Sequence, residues 1–358
     1  MNKFMTFSAN TQSVFNNDVN DYKAFSQLML DTARGTQEVT KEDANKKIVE
    51  VFQNILGITK DSRPADVRRA LRRNQSLVFD IIEETIENLL VTGWINDPFM
   101  MKYVDQRNLA LGDKNEFYVE DDSILSVMRV SGNHHDIIRQ RLGAGTSKSI
   151  STYWCAIKVY AEFERVLTGA EDWAHFINKV YEAYDRYIKE AIYKTFMDYS
   201  KAVPETFKKT GDVTAENLIA LCDLVSTATG YPVQILGTKA ALTKVMNLTD
   251  ATWVSDGMKN ERYKNGLLGM FEGTECIEIP QIFEKGKVGT YKLDNNMLWV
   301  MPTSVDRFIK FVNEGDTQLS TVADKDTNVD MTYEYELQTK LGFGIITASA
   351  FGVYAVEA

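Results

Sequence analysis

Apolar residues recur at Trp173, Phe176, Ile177, Val180, Tyr184, Tyr187, Ile188, Ala191, Ile192, Thr195 and Tyr199. That three-and-four spacing lays one stripe along a helix, and it predicts a helix from about Asp172 to Tyr199, roughly 40 Å long. The segment before it alternates instead. Phe117 pairs in phase with Val119, and Leu125 with Val127. Further on, Cys155, Ile157 and Val159 share one face, while Trp154, Ala156, Lys158 and Tyr160 share the other. This predicts a two-stranded arm from about Asp113 to Val159 that turns at Gly143–Ser149. A lone two-stranded arm is marginal in water, so it needs a protein surface to lie on. The sequence assigns that surface to another copy of the chain.

Upstream, residues 1 to about 62 are mostly polar. They carry two short amphipathic pieces: Tyr22, Phe25, Leu28 and Met29, then Ile48, Val49, Phe52, Ile55 and Leu56, with Gly57 placed to end the second. They form either a helical subdomain or an arm that drapes over neighbours. A helix is predicted from Ala65 to Val91 behind Pro64. Its first half bears Arg68, Arg69, Arg72 and Arg73, which form either a solvated face or a grip on an acidic neighbour or packaged nucleic acid. Downstream, a helix over Ala215–Thr229 ends at Gly230, a strand runs from Pro232 to Leu236, and Thr238 caps a short helix to Met246. Strands are expected over Cys276–Ile279, Lys292–Val300 and Arg307–Val312. Two closing strands, Asp330–Lys340 and Ile345–Val356, are expected to join through Gly342-Phe343-Gly344. Helices and strands mix without βα alternation, which predicts an α+β protein.

Composition narrows the function. The 358 residues exceed what one core usually serves. A net charge of −10 argues against an electrostatic nucleic-acid binder. Cys155, Cys222 and Cys276 are odd in number and far apart, which argues against a disulfide framework. The longest nearly apolar stretch, Ile345–Val356, is too short to span a bilayer. No catalytic constellation emerges. Gly143–Ser149 lacks both glycines that a phosphate loop needs and feeds a strand. His134 and His135 are adjacent and point apart in an extended segment, and His175 stands alone, so no metal-ligand spacing exists. Neither a cofactor nor a metal site is expected.

In element order the chain resembles the major capsid proteins of tailed bacteriophages, the Hong Kong 97-like family. The residues that carry the resemblance are the arm over about Asp113–Val159, the spine-like helix from Glu171-Asp172-Trp173 to Tyr199, and the strand-to-helix turn Ile235-Leu236-Gly237-Thr238-Lys239-Ala240-Ala241-Leu242. Leu298–Pro302, Phe311–Asp316 and Asp330–Glu336 match the late strands. The resemblance covers about residues 110–358. It implies an N-terminal arm over 1–107, an extended hairpin loop over 108–160, a peripheral domain with its spine helix over 161–210, an axial domain with late strands over 211–328, and closing peripheral strands over 329–358.

It also implies a structural protein, not an enzyme, that assembles through hexamers and pentamers into an icosahedral shell around double-stranded DNA, contacted without sequence specificity. Portal and scaffold partners and assembly in the host bacterial cytoplasm follow, with no membrane partner. Inter-subunit contact falls to the hairpin tip (Gly143, Gly145, Thr146, Lys148), and spine packing to Trp173, Phe176, Val180 and Tyr184. Any covalent crosslink would join Lys114 or Lys148 to Asn328. Residues 1–107 are either a retained arm or a scaffolding segment. Two other readings stay open: an encapsulin-type compartment shell, and a soluble α+β enzyme.

Overall fold

The computed structural model describes residues 19–34, 39–92, 98–119, 127, 139–141, 143–160, 173–248, 257, 269–303, 307–322, 334–347 and 350–356. His134, His135 and Asn328, and the side chains of Arg68, Arg72, Trp173 and Phe176, lie outside the described set.

In chain order the N-terminal part is helical: α1 (Val19–Arg34), α2 (Lys41–Leu56), α3 (Pro64–Arg73), α4 (Gln75–Thr92) and α5 (Pro98–Tyr103). Thr40 caps α2 by accepting from the Asp43 N–H, and Gly57 closes it at φ 65°, a left-handed conformation that costs glycine nothing. The helix expected over Ala65–Val91 is two helices, because Asn74 breaks it at φ −116° and ψ 24°. Its amide donates to the Ile55 carbonyl of α2, so a contact from another helix sets the bend.

Strands β1 (Val104–Leu109), β2 (Glu116–Val119), β3 (Thr146–Ser149) and β4 (Thr152–Tyr160) lead to the long helix α6 (Trp173–Lys201). Then follow β5 (Lys208–Gly211), α7 (Ala215–Thr229), β6 (Val233–Gly237), α8 (Lys239–Met246), β7 (Met270–Phe271) and β8 (Thr274–Glu278). The chain closes with β9 (Met297–Pro302), β10 (Ile309–Val322), β11 (Glu334–Ile345) and β12 (Gly352–Val356). Gly230 ends α7 and Thr238 caps α8, at the predicted places, and Thr214 caps the start of α7.

One sheet has the order β1-β10-β11-β4, a second β5-β12-β9-β6-β8-β7, and β2 and β3 form a two-stranded pair. Three expectations change. β4 is not the return strand of the arm: it runs antiparallel to β11, Thr152 opposite Gly342 and Tyr160 opposite Glu334. Gly342-Phe343-Gly344 is not a turn but the interior of β11. A Cβ on Gly342 would lie 2.9 Å from Thr152 Cγ2 and 3.0 Å from the Ser151 carbonyl oxygen, so these glycines admit the close approach of the chain entering β4. The two closing strands do not pair with each other. β11 belongs to the first sheet, and β12 pairs with β9 and β5 in the second.

The main core gathers along α6. Ile177, Val180, Tyr184, Ile188, Ile192, Tyr193 and Phe196 are all buried and meet α1, α2, α4, β10 and β11. The two amphipathic pieces are helices α1 and α2, and Met29, Ile48 and Phe52 sit in that same core with Ile81 and Phe99. At the C-terminal end of α6, Phe196 meets Trp299 at 5.0 Å, Phe308 at 5.8 Å and Phe99 at 6.1 Å between ring centres. The Trp299 indole N–H donates to Ser200 Oγ at 3.0 Å. β9 divides two cores by strict alternation. Trp299 and Met301 face α6, while Leu298 and Val300 face Leu221, Val225, Leu242 and Val245 of α7 and α8.

Candidate assembly interface

The segment expected to be the arm tip is the arm's root. β2 and β3 pair with Glu116 opposite Ser149 and Val119 opposite Thr146, so residues 120–145 depart and return at one place. Thr146 and Lys148 are exposed strand residues of that root, and Gly143 and Gly145 lie just before it. Gly145 is required there. A Cβ would sit 2.3 Å from the Val119 carbonyl oxygen and 2.5 Å from the Tyr118 ring, and the Gly145 N–H donates to the Tyr118 hydroxyl at 3.2 Å.

A separate small core pins the root to the first sheet. Phe117 is buried with Ile150, Val312 and Ile346. The Arg107 guanidinium stacks 4.0 Å over the Phe117 ring, and Lys310 lies 5.4 Å from it. Alternation explains the geometry: on β10, Ile309 and Phe311 face the main core, while Lys310, Val312 and Glu314 face the arm root. Lys310 is 1% exposed and donates to the Asp105 carboxylate at 3.1 Å, which Arg107 also meets at 3.3 Å. Glu314 accepts from Lys340 at 2.8 Å, from the Thr152 hydroxyl and from the Gly112 N–H. Those bonds, Lys340 first and Thr152 next, hold the Glu314 carboxyl below the usual range against an opposing desolvation. Sequence reasoning missed this cluster; its one visible signal is a lysine inside the apolar run Ile309-Lys310-Phe311-Val312.

The other expected site residues go elsewhere. Val180 and Tyr184 are core, and the Tyr184 hydroxyl donates to the Leu337 carbonyl at 2.7 Å, with burial pushing its pKa up to about 12. Arg69 and Arg73 of α3 are exposed, and Arg69 pairs with Asp66 at 3.4 Å between two side chains more than half exposed, a contact worth little. Lys114 is exposed near the root. The structure does not bring the arginines and the arm root into one site.

Among the described residues no group of three or more His, Cys, Asp or Glu is placed to hold a metal, and no helix is long and apolar enough to cross a membrane. The thiols are quiet. Burial raises Cys155, lifts Cys222 to about 12, and lifts Cys276 to about 11. A cleft of about 280 Å³ lies between β4 and α6, lined by Trp154, Cys155, Ala156, Ile157, Tyr187 and Lys285 among others. The thiol it holds, Cys155, donates to the Tyr187 hydroxyl at 3.4 Å, and its pKa is raised by burial.

What such a subunit does is decided by comparison. A family model described as "SPbeta prophage-derived putative capsid protein YonB" matches residues 17–355. The chain belongs to this prophage capsid family. It is therefore a shell-forming structural protein, not an enzyme. Among solved structures it is similar to a chain from Microbacterium phage Oxtober96, at 11% identity and TM-score 0.45, over 73% of this chain and 91% of that one. It is also similar to the mature capsid of bacteriophage PhiM1, at 10% identity and TM-score 0.45, over 74% and 89%. The procapsid of satellite phage P4 with its size determination protein gives 8% identity and TM-score 0.48, over 76% and 90%. A comparison with the curated proteins finds no match.

Proposed function

We propose that this chain is the major capsid protein of a tailed phage or prophage, with a Hong Kong 97-like subunit that assembles through hexamers and pentamers into an icosahedral shell around double-stranded DNA. The observation that supports this best is the arm root. β2 and β3 bring the two ends of the intervening segment together, while Phe117, Arg107 and Lys310 pin that pair of strands to the first sheet. A segment projecting from a rigid root reaches a neighbour at a set angle, and repeated heterologous contacts of that kind close into rings and shells.

On this reading the first sheet with α6 is the peripheral unit, and the second sheet with α7 and α8 is the axial unit, now including β12. The acidic chain lines a wall that does not cling to packaged DNA. Arg69 and Arg73 are left as exposed cations for an acidic neighbour or for DNA. A portal, a scaffold and assembly in the host cytoplasm complete the proposal.

The test is electron microscopy with light scattering on purified protein across salt and pH. It is run beside a variant in which residues 121–138 are replaced by Asn-Gly, leaving β2 and β3 intact. The expected result is closed particles or capsomer arrays for the full chain, and folded subunits without shells for the variant. Normal shells from the shortened chain would overturn the role of the arm. Co-purifying DNA or protein cargo separates a phage shell from a compartment shell.

A further inference from the structure

The loop after β8 is fastened across α6. The Tyr193 hydroxyl donates to the Pro280 carbonyl at 2.8 Å, Lys292 meets Glu190 at 3.1 Å, and Arg186 donates to the Phe283 carbonyl at 3.2 Å. Positions 186, 190 and 193 fall on one face of α6, so a single stripe of the helix holds both sides of the loop. Phe283 bridges Tyr291 with the two rings stacked. Beyond them the Lys287 N–H donates to the Glu284 carbonyl at 3.0 Å, and Gly286 at φ 76° closes that tight turn. Lys285 is thereby held at the wall of the cleft between β4 and α6.

The charges beside this cleft do not cancel. Lys179 pairs with Glu182 at 3.5 Å, Lys189 with Asp185 at 2.9 Å, Lys287 with Glu284 at 3.0 Å and Lys292 with Glu190 at 3.1 Å, so the carboxylates of the loop and of the facing helix turns are taken. Lys158 of β4 lies opposite Glu336 of β11. Lys285 and Arg186 remain without a carboxylate among the described residues, and Arg186 donates only to the Phe283 and Glu284 carbonyls. In a chain of net charge −10, two cations without a counter-charge beside one cleft point to an anion. The other walls are Trp154, Ala156, Ile157, Ala183 and Tyr187, apolar or aromatic, and the Tyr187 hydroxyl is held by the Cys155 thiol at 3.4 Å.

We infer that this cleft binds a small apolar anion, an aromatic or branched carboxylate, with its apolar body against Trp154 and Tyr187 and its carboxylate at Lys285, Arg186 adding to the field. Aromatic walls with a few placed polar groups are the usual make-up of a small-molecule site. At about 280 Å³ the cleft falls just below the range of about 300–1,000 Å³ that takes drug-sized ligands, so the occupant has one or two rings. A bound anion neutralises the basic wall and braces β4, the last strand of the first sheet, against α6, which stabilises the subunit by mass action. The site lies beyond the shell-forming reading and does not depend on it.

The test is isothermal titration calorimetry of full-length, unassembled subunits with 2-naphthoate, run against its uncharged isostere 2-naphthamide. Saturable binding of the anion tighter than about 1 mM is expected, with the amide at least about tenfold weaker, and Lys285→Gln should remove most of that difference. Ala156→Trp fills the cleft from its strand wall and Ala183→Phe from its helix wall. Both positions are exposed, and each substitution should abolish the binding; if one variant does not fold, the other decides. No saturable heat with 2-naphthoate, equal affinity for the amide, or binding undiminished by the filling variants overturns the site. Filling variants that block particle formation, while the native chain binds no naphthoate, would make the cleft a contact for another protein chain and so overturn it too.

Discussion

Replacing Asp105 should loosen the arm root more than replacing its partner Lys310. The Lys310 side chain is 1% exposed and the Asp105 side chain 23%, with 3.1 Å between charged atoms. At that distance and an effective dielectric of about 20, the attraction is about 5 kcal/mol. Desolvating the ammonium offsets much of it while the carboxylate is present. Asp105→Asn keeps an acceptor oxygen but removes the charge, so the buried ammonium retains its desolvation cost without that compensation. The expected loss is about 3 kcal/mol. Lys310→Met fills the same slot with an apolar stem against Phe117, and Asp105 keeps Arg107 at 3.3 Å; the expected loss is about 1 kcal/mol or less. The double variant should be more stable than Asp105→Asn alone. Urea unfolding of unassembled subunits gives the three values, and hydrogen exchange over residues 104–119 and 309–314 localises them. A Lys310→Met loss equal to or above that of Asp105→Asn, or simple additivity in the double variant, would refute the reasoning.

Three further outcomes are expected. Gly145→Ala should cost about 1–3 kcal/mol and speed amide exchange over Glu116–Val119, because its Cβ would press on the Val119 carbonyl oxygen and the Tyr118 ring; unchanged exchange there would rule out the tight crossing. Glu314 has a folded pKa held below its unfolded value, so its contribution is fully present above the ordinary glutamate range of about 4.3 and is lost as pH falls through the lowered value. Glu314→Gln should therefore lower the urea midpoint at pH 7, with the difference closing in strong acid; a gap that stays constant down to about pH 2 contradicts the linkage. Cys276, at about 11, should alkylate with iodoacetamide at pH 7.5 about a hundred-fold more slowly than an unperturbed thiol, and Cys222, at about 12, more slowly still. Mass spectrometry of native subunits measures both, and prompt labelling of either would contradict their burial.

Local signals were readable and long-range ones were not. The stripe of α6, and the caps at Gly230 and Thr238, are written in neighbouring residues, and these elements appear where the spacing predicts them. Strand partnership is not local. Thr152–Tyr160 follows β2 and β3 in sequence and alternates well, so it reads as their continuation; its partner is β11, nearly two hundred residues on. Gly342 and Gly344 look like turn residues because glycine usually marks a turn, and only the approach of Ile150–Thr152 shows why a strand needs them. The break at Asn74 depends on Ile55 of another helix. The apolar pattern ends the strand near Val312, because the polar run Asn313-Glu314-Gly315-Asp316 hides its continuation. The strand continues to Val322 through a register shift after Glu314, with Gly315 at φ 79°.

The placement of apolar surface also argues for where assembly specificity resides. Along α6 the residues that matched helical spacing are consumed inside the subunit; Ile177, Ile188, Ile192 and Phe196 are each 1% exposed or less, and of the described stripe only Tyr187 and Tyr199 pass one-third. Most of the described stripe is therefore spent on the subunit's own core. Several half-exposed aromatics gather around β4 and the turn beside it. Tyr153 and Trp154 lie on β4, Tyr187 across the cleft, and Phe283 and Tyr291 stack at 5.1 Å on the turn that Arg186 holds. Contiguous half-exposed apolar side chains of this kind are where a protein contact is first to be sought, and the buried stripe of α6 is what holds them on a rigid block.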